Sequence, residues 1–275
     1  MVKQGHIVSV VLAIAVLSSA GAVPVPQAPT GASISYGAWG AGYQADAPKG
    51  QHFTEVLGEF VVPRHAPHPP VAGVSWMGAW AGIGLNTSQS MKHDLMQDGI
   101  FEGMRPGEFG YSIMIPWWIN EPLIPSTRPH VLHSLAIRPG DIVLSIVRQE
   151  GQSIWSFEVK DVTTGQQAFG ICTSCYTDGR TVAWILEDPT SGFGPTLVRT
   201  NYAGPARLVF LKAEASLGHG LVPLGELDWS SVLREVPGQV EKPITVPAKD
   251  GAFTIKRFDA PAGVLRAIKS ERSAA

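Results

Sequence analysis

The chain has 275 residues, enough for one large or two small domains, and all-β domains of about 200–250 residues are common, which favours one. Charge is nearly balanced, 21 Lys and Arg against 23 Asp and Glu for a net −2, so no basic surface marks a nucleic-acid binder. Hydrophobic residues make up 44% and charged ones 16%, which supplies a sizeable core, and 30 Gly with 22 Pro suit many short strands and turns better than long helices.

At the N-terminus, Lys3, the apolar run from Ile7 to Leu17 and Ala20-Gly21-Ala22 have the form of a signal peptide cut after Ala22. The run is too short to span a bilayer comfortably. Residues 1–22 are therefore expected to be removed, and the Pro-rich residues 23–32 to form a mobile linker or short pro-segment. The mature chain is expected to be secreted or periplasmic, with no membrane contact. No later stretch is long and apolar enough to cross a membrane.

Ser33–Gln44 reads as a strand that carries Trp39 among glycines, a setting that lets a ligand approach the ring. Phe53–Pro63 alternates as a second strand. Arg64–Pro70 is a Pro-rich loop, so His65 and His68 read as solvated side chains rather than metal ligands. Val74–Ile83 holds Trp76, read as core, and Trp80. The polar stretch Gly84–His93 contains the sequon Asn86-Thr87-Ser88. Asp94–Phe101 returns as a strand with Gln97 inside. Phe109–Ile119 follows, and Pro116 confines it to an edge or a bulge.

His130–Ile137, Asp141–Gln149 and Gln152–Asp161 come at close spacing, joined by the turn residues Arg138-Pro139-Gly140 and Glu150-Gly151. Gln167–Ile171 leads to Cys172 and Cys175. In an exported chain, with no second pair of ligands, this C-x-x-C reads as a small disulfide loop rather than a zinc or redox site. Thr181–Asp188 is β-branched, aromatic and aliphatic, with no Gly or Pro until Pro189. Alternation places Val182, Trp184 and Leu186 on one face, and Thr181, Ala183, Ile185 and Glu187 on the other. A carboxylate at the end of such a strand is costly unless exposed, paired (Arg199 is a candidate) or used.

Ala206–Ala213 is one more strand. Leu224–Val236 is ambiguous and has room for a short helix. Ile244–Val246 and Ala252–Phe258 flank Asp250-Gly251, a hairpin signal. Residues 33–259 thus read as one antiparallel β-sandwich domain, and residues 260–275 as a polar tail.

Several catalytic signatures are missing: no G-x-S-x-G elbow, no H-E-x-x-H, and no Gly-rich phosphate loop between strand and helix. Seven short segments nevertheless occur in a telling order: Trp39-Gly40-Ala41-Gly42-Tyr43, Gly58-Glu59-Phe60-Val61-Val62-Pro63, Ala79-Trp80-Ala81-Gly82-Ile83, Leu95-Met96-Gln97-Asp98-Gly99, Arg138-Pro139-Gly140-Asp141, Thr163-Thr164-Gly165-Gln166 and Ala183-Trp184-Ile185-Leu186-Glu187-Asp188. Together they resemble the glutamic peptidases, also called eqolisins (peptidase family G1). The resemblance covers about Ser33 to Ala215.

It implies a concanavalin A-like β-sandwich of jelly-roll type, two curved antiparallel sheets with the active site on a concave face. It implies an acid-active endopeptidase, a polypeptide substrate, and neither metal, cofactor nor covalent intermediate. The family's catalytic pair carries over to Gln97 and Glu187, and its two active-site tryptophans to Trp39 and Trp80. The chain is expected to be a monomer.

The chemistry suits these residues. Amide hydrolysis needs a base for water and a donor for the oxyanion. Glu187 would take the proton of water and pass it to the leaving amine. The Gln97 NH₂ would stabilise the oxyanion, and its carbonyl would orient the water. A Gln donates at every pH, and an ordinary Glu titrates at about 4.3, so a base for acid conditions needs little tuning. Ala183, Gly84, Ser112 and Pro116 stand where the family carries acidic residues.

Two other readings remain. A non-catalytic member of the fold would bind peptide or glycan on the concave face. A glycoside hydrolase would need two carboxylates about 5–9.5 Å apart, and Asp94 and Asp98 point to the face opposite Gln97.

Overall fold

The computed structural model describes residues 34–37, 40–63, 75–84, 95–104, 113–121, 130–187, 207–236 and 239–259. The signal and linker segments, Trp39, His65, His68, the sequon, Ser112, Arg199 and residues 260–275 lie outside the described residues, as does the side chain of Trp76.

Along the described chain the strands are β1 (Ile34–Gly37), β2 (Gly40–Asp46), β3 (Glu55–Val61), β4 (Ser75–Ile83), β5 (Leu95–Met104), β6 (Ile113–Glu121), β7 (His130–Val131) and β8 (Ile142–Gly151). There follow β9 (Ile154–Asp161), β10 (Gln167–Cys172), β11 (Thr181–Glu187), β12 (Arg207–Ser216), β13 (Leu221–Pro223), β14 (Trp229–Val236), β15 (Gln239–Pro243) and β16 (Phe253–Asp259). One layer runs β14-β2-β11-β4-β5-β6-β7 and the other β10-β9-β8-β3-β12. β15 and β16 bridge β14 to β12, so one hydrogen-bonded path runs through both layers. The pairs are antiparallel, as expected of the sandwich, except that β1 lies parallel to β14.

Alternation explains the core. Val182, Trp184 and Leu186 of β11 share a face with Met77, Ala79, Ala81 and Ile83 of β4 and with Met96 and Ile100 of β5. That face meets Val56 and Phe60 of β3, Val143 and Val147 of β8, Phe157 and Val159 of β9, and Phe210 of β12. Trp184 is fully buried, and its indole N–H donates across the layers to the Leu57 carbonyl at 2.7 Å. Gly58, one residue on, makes room for that ring, since a Cβ there would stand 3.2 Å from Trp184 Cδ1.

Some elements differ from the sequence reading. Ser33–Gln44 is two strands with different partners: β1 pairs β14, while β2 lies between β14 and β11. Of His130–Ile137 only His130–Val131 pairs; Leu135 and Ile137 are buried from a loop, where apolar residues imitate a strand pattern. Leu224–Glu226 is a single 3-10 turn, and the rest of that segment enters β14. The C-terminal hairpin is longer than read: its ladder joins β16 to Gln239–Pro243, and beyond it the Ile244 N–H donates to the Thr254 carbonyl and the Thr245 hydroxyl accepts from the Thr254 N–H. Its return includes a turn at Gly251, which has φ +80° and donates its N–H to the Ala248 carbonyl.

Candidate active site

The other face of β2, β11, β4 and β5 carries the residues singled out for chemistry. The register aligns them in rows. One row runs Gln97–Gly82–Ala183–Gln44, the next Gly99–Trp80–Ile185–Gly42, and the third Phe101–Gly78–Glu187–Gly40. Residues directly opposite each other share a face, so Gln97, Trp80 and Glu187 all point to the same side.

Glycines space the large side chains. A Cβ on Gly99 would lie 2.9 Å from the Cβ of Trp80, and one on Gly82 would lie 2.9 Å from the Cβ of Gln97. At Gly78 it would touch the Phe101 ring at 3.2 Å and Glu187 Cβ at 3.5 Å. Each large residue therefore fits because its cross-strand neighbour has no side chain. Trp80, Leu95, Ala183, Ile185 and Val232 form a small apolar cluster on this face, with Phe101 packed against it.

Glu187 is half-buried, and the Trp80 indole N–H donates to its Oε2 at 2.7 Å. That bond fixes the carboxylate over the rows, and Trp80 itself is held rigidly, with 1% of its surface exposed. Gln97 is 3% exposed, and its side-chain oxygen Oε1 has no hydrogen-bond partner. Leaving a buried amide carbonyl unpaired costs about 1–3 kcal/mol, which a purely structural glutamine would not be expected to carry.

No hydrogen bond joins Gln97 to Glu187. They stand two strands and four residues apart, about 16 Å between Cα atoms for ordinary strand spacing and rise. Trp80 occupies the strand and the row between them, so a group contacting both carboxamide and carboxylate has to lie over Trp80.

Behind Gln97, on the core face, Asp98 is fully buried. Ser145 of β8 bonds its Oδ1 and, at 2.8 Å, its backbone carbonyl. Oδ2 has no partner. Burial pushes the Asp98 carboxyl well above the usual carboxylate range; the Ser145 hydroxyl and the main chain at Ile146 and Glu158 oppose this, and the Glu158 charge adds a little to it. Asp98 thus belongs to the sandwich interior, not to the face of Gln97.

Cys172, the last residue of β10, is joined to Cys175 in the loop that follows, with Cα atoms 5.7 Å apart, and β10 belongs to the opposite layer. Among the described residues no group of three His, Cys, Asp or Glu is placed to hold a metal ion. Gly84 lies just past β4 with φ +99°, a conformation that an acidic side chain there would strain.

Sequence reasoning passed over Gln44 and Phe101. Alternation within Gly40–Asp46 was signal enough to set Gln44 on the face of Gly40 and Gly42, but only the register shows that Ala183 is its neighbour.

The fold is a β-sandwich, and on one face of its central strands it carries a carboxylate and a carboxamide. The Peptidase A4 family model matches residues 38–230, and the chain belongs to that family, the glutamic peptidases or eqolisins, hydrolases of polypeptides.

Solved structures share the fold. Scytalido-glutamic peptidase, solved with a peptide-based transition state analog, aligns with TM-score 0.58 at 16% identity over 80% of this chain and 98% of its own. Aspergilloglutamic peptidase from Aspergillus niger aligns with TM-score 0.54 at 21% identity over 67% and 99%. SCP-B, an eqolisin solved with the tripeptide Ala-Ile-His, aligns with TM-score 0.51 at 17% identity over 81% and 98%. No protein with a curated description matches the chain.

Proposed function

We propose that the chain is a secreted, acid-active glutamic endopeptidase in which Glu187 and Gln97 divide the work of hydrolysis. Glu187 takes a proton from the attacking water and returns it to the leaving amine. Gln97 donates its side-chain NH₂ to the oxyanion of the tetrahedral intermediate, while its carbonyl orients the water. Trp39 and Trp80 contact the substrate, and Trp80 also orients Glu187.

The observation that carries this reading is the hydrogen bond from Trp80 to Glu187, on the same face as a buried Gln97 whose carbonyl oxygen lacks a partner. The carboxylate is held and the carboxamide is unspent, which is what a preorganised site requires. The leader-like N-terminus supports export, and a secreted peptidase meets the acid media in which a carboxylate base can work.

The test is digestion of an unfolded protein by the mature chain from acid to neutral pH. Cleavage is expected on the acid side, resistant to pepstatin. Glu187→Gln should lower kcat by roughly 10²–10⁴-fold, the span of general acid–base catalysis. Gln97→Ala should lower it roughly 10²–10³-fold, as for loss of an oxyanion donor. Both variants should keep the circular dichroism of the parent. A folded wild type inert at every pH would overturn the reading in favour of a non-catalytic peptide- or glycan-binding sandwich.

A further inference from the structure

The mechanism uses one glutamine, yet the face carries two. Gln44 of β2 lies opposite Ala183, in the row that also holds Gln97. Only Gly82 and Ala183 separate them, with Leu95 leaning over Gly82. Tyr43 and Ala45, on either side of Gln44 in the chain, belong to the core, so alternation sends Gln44 to the active face. On its far side, Ser230 of β14 continues the row.

Gln44 repeats the condition of Gln97. It is 6% exposed, and its Oε1 also lacks a hydrogen-bond partner. An orphaned acceptor on a working face calls for an N–H donor, and on a polypeptide hydrolase the donor at hand is the main chain of the substrate. A side-chain amide also matches a peptide unit in both senses: its oxygen accepts the N–H, and its NH₂ donates to the C=O. Three strand spacings separate Gln44 from Gln97, about 14 Å, which an extended peptide spans in about four residues.

We propose that Gln44 is a substrate-binding residue whose side-chain amide hydrogen-bonds one peptide unit about four residues from the bond that is cleaved. This rests on the glutamic-peptidase reading, because Gln97 marks the scissile bond only if that reading holds. Such a contact reads main chain rather than side chain. It gives the enzyme a preference for long substrates without a preference for sequence.

The test uses two fluorogenic peptides with one cleavage core, the short one reaching about two residues to either side and the long one about six. kcat and KM are measured for the wild type, Gln44→Leu and Gln44→Asn. Binding of the long peptide to Glu187→Gln, with and without Gln44→Leu, is followed by fluorescence anisotropy.

Gln44→Leu should lower kcat/KM on the long peptide at least fivefold more than on the short one, chiefly through KM. It should weaken anisotropy-measured binding about tenfold, the size of one lost hydrogen bond. Gln44→Asn, which keeps an amide, should recover part of the loss. Equal losses on both peptides, or none on the long one, overturn the proposal.

Circular dichroism checks folding, and Gln44→Met replaces Gln44→Leu if the latter does not fold. Should the wild type cleave neither peptide yet bind the long one through Gln44, the peptidase reading fails and the binding role stands. A wild type that neither cleaves nor binds overturns both.

Discussion

The two faces of the central strands β2, β11, β4 and β5 are built from alternate residues of the same segments, yet they obey different rules. On the core face, Trp184 buries its ring and spends its one polar group on the Leu57 carbonyl. On the other face Trp80 is as deeply buried, but its N–H goes to a carboxylate, and two glutamines keep carbonyl oxygens unpaired. Burial alone therefore does not separate structure from function here. What separates them is how polar groups are satisfied within the fold: on the core face of these strands Asp98 is the described side chain with an unpaired oxygen, whereas on the other face two buried glutamines, Gln44 and Gln97, keep theirs unpaired.

Substitutions can test that contrast. The largest stability effect is expected from Trp184→Ala, which should cost about 3–5 kcal/mol and lower the unfolding midpoint in urea accordingly. If Trp184 could be truncated at less than about 1 kcal/mol, the core face would not be the stabilising one.

Trp80→Phe keeps an aromatic ring on the active face and removes only the N–H. It should lower kcat about ten- to a hundredfold, in line with loss of a hydrogen bond to a charged group, with little change in the urea midpoint. A matching loss of stability with unchanged kcat would make Trp80 a core residue like Trp184.

The smallest and most diagnostic effect concerns Asp98, a fully buried acid on the core face. Its carboxyl titrates above its unfolded value, so the folded state binds its proton more tightly. The sign follows: its contribution is fully present below the ordinary Asp range, about pH 3.9, and is lost as pH rises through the elevated folded value. Stability measured by urea titration should fall from acid toward neutral pH, and Asp98→Asn should flatten that fall. A parent whose stability rises over the same range would contradict the buried, protonated Asp98. Glu158 is the charged neighbour to substitute alongside it, because its carboxylate pushes Asp98 in the same direction.

How much of this was legible in the sequence varies with the physics of each element. The strand Thr181–Glu187 could be read directly, because its β-branched and aromatic run has one continuation and its alternation separates Trp184 from Glu187. The strand Ile154–Asp161 was equally plain, with buried Trp155, Phe157 and Val159 alternating with more exposed residues. The sandwich itself followed from many such strands.

The loop around Leu135 and Ile137 was misread because hydrophobicity reports burial, not pairing. The parallel partnership of β1 with β14, nearly two hundred residues away by number, has no local signal at all. The same limit applies to the site. Gln97 and Glu187 were marked by the segments around them, whereas Gln44 sits in an unremarkable Gly-rich strand, and only the cross-strand register puts it in the row of Gln97.

The bridge formed by β15 and β16 has a consequence for how the protein meets other molecules. Two separate sheets would present four open borders. Among the described residues, a single path folded over itself ends at β7 and β10, with β1 and β13 off the path and paired on one side each. β7 pairs through two residues only, and so short a border gives another chain little to grip. The six-residue strand Gln167–Cys172 is a point of entry for self-association, since Phe169 and Ile171 are 56% and 65% exposed and the strand itself has no charged residue. For a protein that is stored or concentrated, copies can meet at that border without covering Gln97 and Glu187, which lie in the other layer.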